Sequence, residues 1–194
     1  MAKSSDNKLR AVVDIVTDGD VILVVGPQKA RLRVHSLTLK EASEPLSAML
    51  GLNRKEGDVL REKWPLELLL PEDNAMVMEY ICAIIHHPNN ILPSTMTPHG
   101  ILEVAITATK YNFVDALRFA SKSWLQTRNV KADELMALTA AAYAFQNAQA
   151  FRDLTKALIL NYGDSYLALS TERIESVMNW KVFCKVLIVD STGS

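Results

Sequence analysis

From Asp20 to Leu50 the hydrophobic pattern changes period once, and the change predicts where strands give way to helices. Val21-Ile22-Leu23-Val24-Val25 is a continuous apolar run rich in β-branched residues. After Gly26-Pro27 comes a basic stretch, Lys29 to Val34, with apolar residues at every second position. Two such runs around a glycine-proline turn predict a hairpin. From Leu37 to Leu50 the spacing becomes helical, and Ser36 and Ser43 stand where a side-chain oxygen would accept from the free amides of a first turn, so two short helices are expected. A third strand is predicted over Leu66-Glu67-Leu68-Leu69-Leu70-Pro71, and Val12-Val13-x-Ile15-Val16 predicts another ahead of the hairpin, with Asp18-Gly19-Asp20 as the turn between.

Past Asp73, read as a helix N-cap, apolar doublets recur at a four-residue step: Met76/Val77, Tyr80/Ile81, Ile84/Ile85. That gives a wide apolar face and a mostly buried helix. His86 to Pro98, dense in proline, asparagine and histidine, is expected to be a loop that Thr97 and Pro98 end as N-cap and first helical residue. Two helices follow, near 98–111 and 114–127. Polarity then rises around Gln126 to Lys131, which sets a boundary. Beyond it Leu135, Leu138, Ala142 and Phe145, then Phe151, Leu154 and Leu158, recur at helical spacing. A last helix begins at Ile174, Val177 and Met178, capped by Ser170 or Thr171 and running to Val189. The reading is an α+β chain: a mobile segment 1–11, a mixed domain 12–127 with a small sheet flanked by helices, and an all-helical extension 128–194.

Composition narrows the function more than the fold. Hydrophobic residues make up 49% and charged residues 22% of 194 residues, as in an ordinary globular protein. Balanced charge, 21 basic against 22 acidic residues, removes the basic footprint of nucleic-acid binding. Met1 to Asn7 lacks the apolar core of a signal peptide, and no apolar run approaches the roughly 20 residues of a membrane span, so cytoplasm or nucleus is expected. Cys82 and Cys184 lie in apolar stretches and read as buried free thiols of a reducing compartment.

Several pieces in order resemble a known family. Asp20-Val21, Leu32-x-Val34-His35, Leu39, Ser43, Leu46-Ser47-Ala48-Met49-Leu50 and Leu70-Pro71-x-Asp73 fall in the order and spacing of the BTB/POZ domain. Ala108-Thr109-Lys110-Tyr111-Asn112 with Ala116-Leu117 resembles that family's helix pair. The wording is most similar to BTB proteins of filamentous fungi, and 128–194 resembles, by position and helicity, the BACK extension that follows BTB domains. The resemblance implies a non-enzymatic protein-protein interaction and oligomerisation module, a scaffold without cofactor. Its alternative is a substrate adaptor for a cullin-type ubiquitin ligase. It also implies a core containing Leu46, Met49, Leu69, Ile81, Ile84, Leu102 and Leu117, each on the apolar side of its element.

Candidate chemistry is sparse. Adjacent His86 and His87 would diverge by about 100° on a helix, and His35 has no carboxylate or thiol at the spacing of paired ligands, so no metal site is expected. No phosphate-binding glycine pattern and no nucleophile elbow occurs, which argues against an enzyme. His35 is expected to fix the strand-to-helix turn. Lys29, Arg31 and Arg33 alternate on one strand face and read as a solvated face; the resemblance alternatively places Asp20 and Arg33 in a charged pocket that contacts a partner. The resemblance also places Arg54 and Glu56 at that family's cullin-binding triplet, where charged Arg54 would stand for an apolar residue and disfavour that partner. Few residues precede Asp20, so the swapped N-terminal helix of dimeric relatives is expected to be missing; Val12, Val13, Ile15 and Val16 remain as a strand through which a homodimer would form.

Overall fold

The computed structural model describes residues 11–52, 65–87, 96–126 and 130–179. The chain divides into two compact units, Met1–Ile91 and Leu92–Ser194. The division falls ahead of the polar stretch at 126–131 and groups the two helices after Pro98 with the later ones.

The first unit holds all the strands found among the described residues: β1 (Val12–Asp14), β2 (Val21–Val25), β3 (Ala30–Val34) and β4 (Leu66–Leu70), with helices α1 (Ser36–Ala42), α2 (Glu44–Leu52) and α3 (Ala75–His86). They form one mixed sheet in the order β1-β3-β2-β4. β2 and β3 make the expected antiparallel hairpin, with Val21 opposite Val34 and Val25 opposite Ala30, while β4 joins β2 in parallel. β1 forms where expected but pairs in parallel with β3, on the far side from β2, so the Asp18-Gly19-Asp20 turn crosses the end of β3 and closes no hairpin. That crossing explains Gly19: a Cβ there would lie 2.6 Å from the Val34 carbonyl oxygen. At the hairpin, Gly26 adopts φ 73°, which glycine accepts without strain, and Lys29 donates its amide to the Gly26 carbonyl at 2.9 Å.

β2 is buried along its whole length, as its unbroken apolar run requires, and Leu32, Val34, Leu39, Leu46, Leu50, Leu68, Leu70, Met78 and Ile81 complete the core. Leu69 departs from expectation: it is 64% exposed. The cause is register. Leu69 is aligned with Val24, which is aligned with Arg31, so it shares the face that carries the charged residues, and β4 is a lateral strand with no neighbour beyond it among the described residues. Met49 and Ile84 are only half-buried.

Capping follows local chemistry. Ser43 Oγ accepts from the Leu46 amide at 3.1 Å, as its position predicts. Asn74 rather than Asp73 caps α3, accepting from the Met76 and Val77 amides at 3.0 and 3.2 Å. Ser36 does not accept as a cap. It is the first residue of α1, and its amide and hydroxyl both donate to Asp20 at 2.6 and 2.5 Å.

The second unit is helical: α4 (Pro98–Lys110), α5 (Arg118–Trp124), α6 (Ala132–Ala144), α7 (Ala148–Asn161), a 3-10 turn at Tyr166–Leu169, and α8 (Glu172–Val177). Thr97 caps α4 with Pro98 at its first position, and Thr171 caps α8. α6 is buried on nearly every side because its alanines let α4 and α7 approach closely. Arg173 of α8 grips the Glu103 carboxylate of α4 through both its Nε, at 2.7 Å, and a terminal nitrogen. α8 closes at Val177; the expected continuation to Val189 lies outside the described residues from Trp180 onward.

Candidate interaction surface

The outer face of the sheet is built around β3. Register places Val12, Arg31, Val24 and Leu69 in one row across the sheet and Asp14, Arg33, Ile22 and Glu67 in the next. Arg33 Nε donates to Asp14 Oδ1 at 2.7 Å, reaching sideways to β1. Arg31 donates to Glu67 Oε1 at 2.6 Å, reaching the other way across β2 to β4. Because Arg31 is aligned with Val24 and Glu67 with Ile22, the arginine stem must lie diagonally over β2, and it helps keep both apolar residues from water. Exposed pairs of this kind contribute at most about 1 kcal/mol each. Their effect here is to fix where charge sits: each acidic residue of a lateral strand is drawn back over the sheet.

Asp20 and Arg33, expected together in one charged pocket, each have a different partner. Asp20 binds the start of α1 through Ser36, and Arg33 binds Asp14. Partial burial works against ionisation of Asp20, but the hydroxyl and amide of Ser36 outweigh it and hold the carboxyl below the usual carboxylate range. Asp20 therefore ties the entry of β2 to the exit of β3. Arg54 and Glu56 lie outside the described residues. Of the N-terminal positions, Ile15 is buried, Val12 and Val16 are half-buried, and Val13 is exposed on the lateral strand β1.

The strand-to-helix turn after β3 carries a contact that the sequence pattern missed. His86, expected in a loop, is the last residue of α3, and its Nδ1 lies 2.8 Å from the Cys82 carbonyl oxygen. Its Nε2 accepts from the His35 amide at 3.1 Å. A carbonyl can only accept and an amide can only donate, so the ring is neutral with its proton on Nδ1. His35 stacks on it, with centroids 6.1 Å apart, and turns its own Nε2 to Asp18 Oδ1 at 3.2 Å. His35 thus fixes the turn as expected, though through its backbone amide as well as its ring. A histidine four residues after a helical carbonyl was the available signal for His86.

Cys82 is fully buried, and burial, aided by Glu79, pushes its thiol up to about 12, which leaves it without thiolate at neutral pH. Among the described residues no group of three histidine, cysteine or acidic side chains is placed to hold a metal ion, and no helix is long and apolar enough to cross a membrane. No protein-family model matches the chain, and no curated protein matches it.

Proposed function

We propose that this chain is a non-enzymatic protein-interaction and oligomerisation module of the BTB/POZ type, working in the cytoplasm or nucleus. The observation that carries the reading is the sheet: among the described residues both lateral strands are paired on one side only, and β4 presents Leu69 to solvent. An open edge with an exposed apolar residue is a template for an added strand, where main-chain hydrogen bonds supply affinity and flanking side chains supply selectivity. Met76, 61% exposed at the start of the helix that follows β4, adds apolar area close by in sequence. The reading also draws on the element order, a hairpin followed by two short helices, a strand and a buried helix, which is the order the sequence pattern predicts.

The test is molar mass by light scattering across a hundredfold dilution, on the parent, Leu69→Lys and Val13→Lys. The reading expects a parent dimer that one of the two substitutions converts to monomer with unchanged circular dichroism. A parent that is monomeric throughout, or a dimer indifferent to both substitutions, rejects association through the sheet edges.

A further inference from the structure

We infer that the helical unit carries a docking groove for the apolar segment that follows α8 in the same chain, Trp180 to Val189. The inference stands apart from the sheet-edge reading. A hollow of about 590 Å³ opens between the end of α4, the α6–α7 connection and α8. Tyr143 and Phe151 form an aromatic wall, their ring centroids 5.7 Å apart, and Ala148 and Val177 continue the apolar lining.

Three of the polar side chains at its rim are already engaged within the helices. Thr109 Oγ1 donates to the Ala105 carbonyl at 2.9 Å, Ser176 Oγ to the Arg173 carbonyl at 2.7 Å, and Asn147 Oδ1 accepts from the Ala150 amide at 3.0 Å. With those hydrogen bonds already made inside the helices, most of the surface left over is complementary to apolar side chains.

The chain itself brings such side chains to this place. Ser176 and Val177 line the hollow, so the polypeptide leaves α8 at its mouth. The next ten residues are Trp180-Lys181-Val182-Phe183-Cys184-Lys185-Val186-Leu187-Ile188-Val189, eight of them apolar. On a helix Trp180, Phe183, Cys184 and Leu187 share one face, with Lys181 and Lys185 to one side of it. An extended chain advances at most about 3.5 Å per residue, so a segment starting within a few residues of Val177 reaches the groove at little entropic cost. Residues 180–189 meet that condition, and docking them would place a strongly apolar sequence against an apolar lining.

Cys184 supplies the readout. The Cys82 thiol is buried and un-ionised, so in the folded full-length chain Cys184 is the thiol that a disulfide reagent such as dithiobis(nitrobenzoate) attacks. If the segment docks in the same chain, Cys184 reacts at least about tenfold more slowly than in a synthetic peptide of residues 179–190, at a rate independent of protein concentration. Ala148→Glu places a charge on an exposed groove position in the first turn of α7, where an acidic residue favours the helix. It should restore the peptide's rate with helical circular dichroism unchanged. A parent chain reacting at the peptide's rate overturns the inference. So does protection that survives Ala148→Glu, which would place the segment elsewhere, or protection lost on hundredfold dilution, which would make a second copy the occupant.

Discussion

Acidification should loosen the contact between α3 and the turn after β3, and His86 should account for it. Only the neutral ring with its proton on Nδ1 satisfies both the Cys82 carbonyl and the His35 amide. Burial lowers the His86 pKa, and the neighbouring His35 and His87 push the same way. In the unfolded chain the ring titrates near about 6.5. Between that value and the lower folded one, the unfolded state binds more protons, so stability rises with pH across the window. The contribution is therefore complete above about pH 6.5 and is lost as pH falls through the folded value. Asp20, also depressed, acts in a separate window below about pH 4, by the same sign: its contribution is present above the unfolded carboxylate value and lost below it.

The size follows from what protonation leaves behind. A charged His86 can no longer accept from the His35 amide, and an unsatisfied buried donor costs about 1–3 kcal/mol, with a half-buried one at the low end. At this chain length about 1 kcal/mol moves the midpoint by roughly 2–4 °C. The assay is thermal unfolding between pH 7.5 and 5.5 on the parent and on His86→Leu, which keeps bulk but neither accepts nor titrates. The variant should melt lower at pH 7.5 by about the same few degrees and lose the parent's decline between pH 7.5 and 5.5. A parent whose midpoint falls no further than the variant's over that range refutes the assignment.

Other substitutions test the packing. Ile81→Ala empties a fully buried site and should cost about 2–5 kcal/mol in chemical denaturation, whereas Leu69→Ala should stay within about 0.5 kcal/mol; equal losses would mean β4 is wrongly registered. Gly19→Ala places a methyl group 2.6 Å from the Val34 carbonyl oxygen and 2.8 Å from its nitrogen, both backbone, so it should cost about 1–3 kcal/mol, and a neutral result would show that the β1–β2 turn does not cross β3. Thr155 is buried in α7 with a hydroxyl that has no hydrogen-bond partner among the described residues, so Thr155→Val should raise stability by about 1 kcal/mol; a loss would reveal a bond to that hydroxyl.

The elements were legible because their periods were. β2 and β3 announced themselves by a continuous run and an alternating one, and α3 by its doublets. What the pattern hid was the side of the sheet. Leu68-Leu69-Leu70 has no alternation to read, so the exposure of Leu69 follows from its alignment with Val24 and Arg31 and from nothing local. The position of β1 was hidden for a related reason: an apolar segment before a hairpin signals a strand but not which side it joins, and the parallel pairing with β3 is decided by tertiary packing. At the candidate surface the basic residues of β3 were visible as a face, but Asp14 and Glu67 as their partners required the register, and the His86 contact required knowing that α3 ends beside the turn.

The two lateral strands are unequal as docking edges. β1 has three residues and β4 five, and the main-chain groups available for an added strand scale with that length. Proteins commonly blunt an open edge with outward charge, yet here the acidic residue of each edge is held back over the sheet by an arginine of β3. Arg31 does this for the longer edge by binding Glu67 across β2. Without Arg31, Glu67 would be free to face outward and would blunt β4. Arg31→Ala should thus weaken association through β4 by about tenfold. Arg33→Ala, acting on the shorter edge, should leave the β4 association intact. Dimer dissociation constants from light scattering that are equal for Arg31→Ala and the parent would show that the charge on β4 has no part in keeping that edge open.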